Sequence, residues 1–152
     1  MVELKVLRQR MQAGQESKAR RGELFKRLPV GYVLDELGKV AFHPDRRVFE
    51  ALQLVFIKFR ELWSVRQTFQ WFRDHDVELP ANPIYGTRLV WKIPSHSLIR
   101  DVLCNPFYAG AYVWGRRPVA ALLIDGRLEK RQTAMRRAEA CRVFIRDHHI
   151  GY

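Results

Sequence analysis

A group of polar and basic side chains surrounds the predicted start of a short helix in the second half of the chain. Ser95, His96 and Ser97 open this segment, Lys92 precedes it, and Arg100 follows one helical turn later. Hydroxyl and imidazole groups hydrogen-bond to phosphates or base edges, and arginine bridges two acceptors on guanine. The pattern therefore favours a helix whose first turns face the bases of duplex DNA. A second interpretation stays open, in which Ser95 only caps the helix and His96 lies solvated beside it.

A basic connector follows a predicted N-terminal helix. It contains Lys18, Arg20 and Arg21 and ends at Gly22, which we expect to be flexible. Such a segment suits phosphates or the minor groove, because both attract cationic side chains. The alternative interpretation is an unstructured, solvated linker.

Three more arginines complete the expected DNA-binding set. Arg116 and Arg117 come just after a predicted strand, where they would follow a DNA backbone along the edge of a sheet. Arg66 lies on the predicted outer face of an earlier helix. Trp91 and Trp114 are expected to fill a core rather than stack on bases, because base-stacking proteins present denser groups of aromatic rings.

The net charge is strongly positive and is unevenly distributed. Lys and Arg outnumber Asp and Glu by 27 to 16, which gives +11. Residues 1–27 hold eight basic and three acidic side chains, and residues 114–137 hold seven and two, whereas residues 28–113 are nearly neutral. Two cationic segments that flank a neutral body suit a polyanion such as nucleic acid. A solvated basic surface or an acidic protein partner would show the same excess.

Hydrophobic spacing predicts four helices. They cover residues 3–21, 45–62 and 64–74 and a segment that begins at Ser95 and stops at Asn105, before Pro106. In the first of them only Leu4, Leu7 and Met11 form an apolar stripe, which is typical of a projecting helix or of one that pairs with another helix. The longer stripe of the second helix predicts the core.

Short strands are predicted around these helices. A small hairpin is expected within residues 28–42, a strand at residues 89–91, strands at 111–114 and 141–145, and a hairpin of 122–124 with 127–129 around Asp125-Gly126. Residues 77–88 are expected to form a loop. The predicted fold class is α+β: a helix-turn-helix-like DNA-binding domain of the winged or extended type, with small antiparallel hairpins and a projecting N-terminal helix. Residues 1–22 are assigned to that helix and the connector, and residues 23–152 to the DNA-binding domain.

Signatures of catalysis and of cofactor binding are missing from the sequence. Its four serines are Ser17, Ser64, Ser95 and Ser97, and none lies in a Gly-x-Ser-x-Gly elbow. The sequence has no glycine-rich phosphate loop either. We therefore expect no cofactor and no catalysis by this chain alone.

The cysteines and histidines lack the spacing of a metal site. Cys104 and Cys141 have no C-x-x-C partner, which indicates a reducing cytoplasm. His148 and His149 are adjacent, so on a strand they would point to opposite faces. The longest apolar run, Val119 to Ile124, is far shorter than the roughly 18 residues of a membrane helix. We expect a cytoplasmic chain that needs no metal to fold and contacts no membrane.

Several segments, in order along nearly the whole chain, resemble one known family. They are Lys18–Leu24, Leu28–Tyr32, Ser64–Gln67, Trp91 followed by Val102–Tyr112, and Ile145–Tyr152. Together they resemble the recombinase domain of the large serine recombinases, the class of phage integrases and mobile-element transposases. The part from Leu103 to Tyr112 is the most specific.

The resemblance implies a larger site-specific DNA recombinase of bacterial or phage origin. Such a protein would form a dimer on each double-stranded DNA site and a tetramer in the synapse. Its resolvase-type catalytic domain would carry the serine nucleophile, and residues 3–17 would be the end of a long helix leaving that domain. The recombinase domain would bind the inner part of each half-site, and a zinc ribbon would bind the outer part.

This sequence departs from that plan at both ends. It contains no catalytic domain, and it ends at Tyr152, where the family continues into the zinc ribbon. No catalytic residue and no zinc ligand is therefore carried over.

Two other functions compete with a recombinase fragment. One is a complete helix-turn-helix regulator that binds DNA without recombination. The other is a protein-interaction adaptor that uses residues 3–17 as a coiled-coil arm. The three residues of this stripe span little more than one heptad, whereas a coiled coil needs three or four heptads.

Overall fold

Four α-helices and eight short strands make up the computed structural model, which describes residues 2–152. The helices are α1 (Val2–Arg20), α2 (Arg46–Leu62), α3 (Val65–Asp74) and α4 (His96–Cys104). The strands are β1 (Tyr32–Leu34), β2 (Val40–Phe42), β3 (Leu79–Ala81), β4 (Val90–Lys92), β5 (Tyr112–Trp114), β6 (Val119–Ile124), β7 (Arg127–Gln132) and β8 (Val143–Ile145). They form four antiparallel pairs, β1–β2, β3–β4, β5–β8 and β6–β7. The α+β class predicted from the sequence is confirmed.

These elements belong to two compact units. The strand-rich unit contains the described residues up to Phe25 and Ala111–His148, and so holds α1 and β5 to β8. The helical unit contains Lys26–Gly110 and His149–Tyr152, with the other helices and strands. The division after residue 22 that the sequence suggested stays a prediction.

The helical unit has α2 at its centre. The face that carries Val48, Leu52 and Val55 is buried, as the i, i+3, i+4, i+7 spacing predicted. The Asp45 side chain accepts a hydrogen bond from the Arg47 backbone N–H and so caps the start of the helix. At the other end Trp63 adopts a left-handed conformation (φ 53°) and donates its backbone N–H to the Phe59 carbonyl, which lets α3 begin two residues later.

Helices α3 and α4 also begin where the sequence predicts. The Ser64 hydroxyl accepts from the Gln67 N–H, and the Ser95 hydroxyl accepts from the Leu98 N–H at 3.2 Å. Helix α4 ends at Cys104, and its C-cap Asn105 is extended because the residue before a proline, here Pro106, disfavours helical geometry. Each cap satisfies an N–H that has no partner within its helix.

A cluster of aromatic rings closes the helical unit. Tyr32 lies edge-on to Phe107 and Tyr152, with ring centroids 5.0 and 5.4 Å apart. The Tyr152 hydroxyl donates to the Gly31 carbonyl at 3.0 Å. Gly31 has φ 96°, and a Cβ there would collide with the Leu52 and Tyr152 side chains. Glycine is needed at this position for both its conformation and its lack of a side chain.

Burial raises the pKa of the tyrosines in this cluster, because it disfavours the charged phenolate. For Tyr152 the pKa rises from its ordinary value of 10.0 to about 12. For Tyr32 and Tyr108 burial is again the main cause of a raised pKa, and the neighbouring Tyr152 adds to it. All three side chains are therefore neutral hydrogen-bond donors in the folded protein.

Alkaline pH is expected to unfold this unit. The raised pKa values stabilise the folded chain fully below about pH 10, and the stabilisation is lost as the pH rises through about 12, because the unfolded chain releases protons that the folded chain retains. Urea denaturation at a series of pH values should show the free energy of unfolding falling over this range. The Tyr152→Phe variant should show a shallower decline, and an identical pH dependence in that variant would contradict the role of Tyr152.

The strand-rich unit contains the predicted second hairpin. Strands β6 and β7 are joined at Asp125-Gly126, where both residues have positive φ values of 48° and 75°, as a type I′ turn requires. The pairing places Leu123 opposite Leu128 and Val119 opposite Gln132. The predicted strands lengthen to six residues each.

One predicted loop contains a strand. Leu79–Ala81 lies within residues 77–88 and pairs with β4, with Pro80 opposite Trp91. A proline cannot donate to a sheet, which favoured the loop interpretation, but both strands of a two-stranded pair are edges and can accept it. All three residues of β3 are buried. The burial of β3 in the helical unit therefore favours a strand, although the local sequence is typical of a loop.

Candidate nucleic-acid interface

Helix α4 presents a polar face at its first two turns. Ser95, His96, Ser97 and Arg100 are all exposed. On the opposite side Ile99 and Val102 are buried, and the helix packs against α2 and α3. This division follows from the helical period, since residues three and four apart share a face.

His96 is held in place by a ring contact and is not simply solvated. Its imidazole lies edge-on to Phe69 of α3, with ring centroids 5.8 Å apart. The ring is exposed, so its nitrogens remain available to a ligand. The Ser95 hydroxyl, by contrast, already accepts a hydrogen bond from the Leu98 N–H. It therefore caps the helix, as the second interpretation of the sequence proposed. Its own O–H can still donate to a ligand.

Basic side chains lie on the elements next to α4. Lys92 ends β4, three residues before the Ser95 cap, and is exposed. The Arg47 guanidinium lies over the Trp91 ring, 5.0 Å from its centroid. The sequence indicated neither this contact nor a site role for Arg47, because Arg47 and Trp91 are far apart in the chain. Trp91, expected in the core, is only partly buried, and so is Trp114.

Arg66 is exposed in the first turn of α3, as predicted. The short connection in this unit joins α2 to α3, through Trp63 and Ser64. Helices α3 and α4 are instead joined by residues 75–95, which include β3 and β4. This connection is much longer than the three or four residues of the simplest helix-turn-helix motif.

The basic connector is ordered, with Gly22 buried at its end. Arg20 pairs with Glu16 at 2.9 Å, and Arg21 pairs with Glu23 at 3.0 Å. Lys18 is exposed and forms no ion pair with any described residue. Exposed pairs of this kind contribute about 0–1 kcal/mol, so both arginines can exchange their carboxylates for phosphates at little cost.

The expectation that Gly22 is flexible is wrong. The His148 ring hydrogen-bonds through Nε2 to the Gly22 carbonyl at 2.8 Å. A Cβ on Gly22 would collide with that ring, and its φ is 71°. The glycine is needed because the ring approaches the backbone closely, which also gives His148 a structural role.

Arg116 and Arg117 lie at the base of the β6–β7 hairpin. The Arg136 N–H donates to the Arg116 carbonyl at 2.8 Å, which brings Arg136 and Arg137 to the same end of the hairpin. Arg117, Arg136 and Arg137 are exposed, whereas Arg116 is partly buried and its Nε has no hydrogen-bond partner among the described residues. From the sequence we predicted only Arg116 and Arg117 as site residues. The signal that could have identified Arg136 and Arg137 is that an Arg-Arg pair lies on each side of a predicted hairpin.

The chain matches one protein family over most of its length. The family model described as Recombinase covers residues 47–150. The chain belongs to the recombinase family. This recombinase domain is also 33% identical over 153 residues to the uncharacterized protein y4bA/y4pH of Sinorhizobium fredii (strain NBRC 101917 / NGR234). That match covers 99% of this chain and 22% of the relative, so the chain spans about a fifth of the relative's length. No solved structure matches the chain.

Within residues 2–152, no three His, Cys, Asp or Glu side chains converge as a metal site would require. The same residues contain no helix that is both long and apolar enough to cross a bilayer. Burial raises the pKa of the Cys141 thiol, although Arg116 and Arg136 lower it. This thiol is therefore a poor nucleophile at neutral pH.

Proposed function

We propose that this chain binds duplex DNA with sequence specificity as the DNA-binding part of a serine site-specific recombinase. The observation that carries the proposal is α4, whose N-terminal face is polar, exposed and positioned by a buried apolar face. An α-helix fits the major groove, where each base pair presents its own pattern of donors and acceptors. Arg100 would bind guanine or a phosphate, and His96 and Ser97 would contact base edges or phosphates.

Charge along α4 favours the N-terminal end as the contact. Asp101 is exposed and lies on the same face as Ser97, one turn later. Its carboxylate would be repelled by phosphates, whereas the helix N-terminus carries a partial positive charge. A helix that enters the groove by its first turns keeps Asp101 away from the backbone. Lys92 and Arg66 would then contact phosphates beside the groove.

The connector supplies a second contact in this proposal. Lys18, Arg20 and Arg21 would lie along phosphates or in the minor groove, which attracts arginine. The exposed stripe of Leu4, Leu7 and Met11 on α1 supports self-association of the longer protein, since apolar side chains in a row favour pairing with another helix. In this proposal the protein acts on DNA in the cytoplasm.

Selection from random duplexes tests sequence specificity directly. We expect an enriched sequence that this chain binds about 10³-fold or more tightly than unselected DNA at the same salt concentration. The His96→Ala variant, carried through the same selection, should enrich a more degenerate site. If the wild-type chain enriches no sequence, it does not read bases, and the proposal fails.

The isolated chain is expected to leave DNA uncut. Ser64 and Ser95 cap helices through their hydroxyls, and Ser17 accepts from the Arg21 guanidinium at 3.1 Å. A phosphoserine linkage needs a serine nucleophile with cations placed around the reacting phosphate. Denaturing gels of the selected duplex after incubation should show neither a nick nor a covalent adduct. An adduct on any of the four serines would show that the chain is catalytic by itself.

A further inference from the structure

The β6–β7 hairpin is a two-stranded ribbon that is largely exposed on both faces. Every residue of β7 is exposed, and in β6 only Ala120 and Ile124 are partly buried. Each strand has six residues, which corresponds to a length of about 20 Å. An isolated hairpin of this length is only marginally stable in water. A binding partner would stabilise it.

The base of the ribbon carries a concentration of positive charge. The hydrogen bond between Arg136 and Arg116 holds two Arg-Arg pairs together there. None of the four guanidinium groups forms an ion pair with another described residue. Guanidinium groups bind phosphate oxygens with two parallel hydrogen bonds, so a phosphate backbone is the ligand that this base suits.

The tip of the ribbon exposes two leucines beside a turn that also carries the charged residues Asp125 and Arg127. Leu123 and Leu128 lie directly opposite each other beside the turn and are 73% and 68% exposed. The face that they share also carries Val119, Ala121, Lys130 and Gln132 and has no carboxylate. The only carboxylate within either strand, Glu129, lies on the other face and pairs with Arg131 at 3.4 Å. Within the two strands, the face that Leu123 and Leu128 share thus carries no negative charge, and the one carboxylate near the tip is Asp125 in the turn.

We propose that this hairpin is a DNA-binding arm whose leucine tip enters the minor groove and bends the duplex. The arginines at the base would bind phosphates, while Leu123 and Leu128 would wedge between base pairs, as apolar side chains do in minor-groove proteins. The groove is about 6 Å wide and 7.5 Å deep, so a ribbon of two strands enters it only if the groove opens. That opening bends the DNA. The inference rests on the proposed function.

Charge argues for DNA rather than a second copy of the chain as the occupant. Residues 114–137 hold seven basic and two acidic side chains, so two ribbons that met would repel each other. A duplex offers phosphates to the base of the ribbon and apolar base faces to its tip. The ribbon, at about 20 Å, is much longer than the groove is deep, so it would have to lie obliquely for its tip to reach the bases while the arginines at its base stay along the phosphates.

Fluorescence energy transfer between dyes at the two ends of the selected duplex tests the wedge. Wild-type protein should raise the transfer efficiency, because bending brings the ends together. Leu123→Ala/Leu128→Ala should abolish most of this rise and weaken binding roughly tenfold. Leu37→Ala, at an 81% exposed leucine in the β1–β2 turn, is the matched control and should bend DNA as the wild type does. All three residues are exposed, so thermal melting of the variants should be unchanged.

A charge-matched pair of variants tests the base of the ribbon. Arg136→Gln/Arg137→Gln should weaken binding to every duplex and make the log–log salt slope shallower by about 1.8, at roughly 0.9 for each phosphate that is no longer neutralised. Lys39→Gln/Arg60→Gln removes the same charge at two exposed positions of the helical unit. It should change the slope much less.

The outcomes separate this inference from the proposed function. If the wild-type chain binds no DNA, the proposed function fails and the arm with it. If the wild type binds a selected site but the double-leucine variant bends DNA equally, the arm alone is overturned. The arm is overturned too if that variant changes the sedimentation of the free protein and leaves DNA bending unchanged, because the tip would then contact another copy.

Discussion

Raising the salt concentration from about 50 to 200 mM is expected to weaken binding of this chain to duplex DNA by roughly 250- to 1,000-fold. About 4–6 phosphate contacts from the connector and the helical unit, each contributing about −0.9 to the log–log slope, give a slope of about −4 to −5, and contacts by the arginines at the base of the ribbon would steepen it further. The net charge of +11 is large enough for such a salt dependence. The side chains that are proposed to contact DNA are also accessible to it, since they are all exposed: Lys18, Arg20, Arg21, Lys92 and Arg100. Fluorescence anisotropy of a labelled duplex over a salt series measures the slope.

A slope near zero would remove the electrostatic argument and favour a protein-interaction adaptor. The α1 stripe of Leu4, Leu7 and Met11 would then be the more important surface, since it is exposed and apolar. The Lys39→Gln/Arg60→Gln variant is the control for net charge in this experiment. It should keep nearly the full slope, because salt dependence reports the phosphates that are contacted and not the total charge.

Local sequence signals predicted the helices of this fold well. The side-chain caps at Asp45, Ser64 and Ser95 mark the starts of α2, α3 and α4, because each places an oxygen where the first helical N–H groups lack partners. The Asp125-Gly126 pair predicted the β6–β7 hairpin for a similar reason, since both residues tolerate a positive φ. These signals act over a few residues, and so the sequence displays them directly.

The parts that were not predicted depend on contacts between distant segments. Strand β5 pairs with β8, so that Tyr112 lies opposite Ile145, and the Tyr112 hydroxyl donates to the Leu24 carbonyl at 2.8 Å. The close approach of His148 that fixes Gly22 is of the same kind. A glycine after a basic segment signals flexibility in isolation, and only the tertiary contact shows that it serves packing.

The same distinction applies to the candidate site. The exposed residues of α4 were predictable, because the helical period that buries Ile99 also exposes Arg100. Arg136 and Arg137 were missed, because they join Arg116 only once the hairpin has formed. Residue type predicted which side chains could bind DNA, whereas strand pairing decided which of them lie together.

Alanine substitutions in the connector and in α4 are expected to weaken DNA binding in two different ways. Replacing Lys18, Arg20 and Arg21 should reduce affinity for every duplex by similar factors, because phosphates are alike in all sequences. The log–log salt slope should become shallower by about 0.9 for each phosphate that the variant no longer neutralises. Replacing Arg100 should instead weaken binding to the selected site by about 1–3 kcal/mol, which is roughly 5- to 150-fold, and change binding to unselected DNA much less.

His96→Ala should behave like Arg100→Ala if the first turns of α4 lie in the major groove. Its ring contact with Phe69 is at the surface, so thermal melting should show only a small loss of stability. Arg60→Ala, at an exposed position of α2, is the matched control and should affect neither kind of binding. Equal losses of specific and non-specific binding in the His96 and Arg100 variants would make α4 a phosphate clamp. Base recognition would then have to come from the connector in the minor groove or from residues outside this chain.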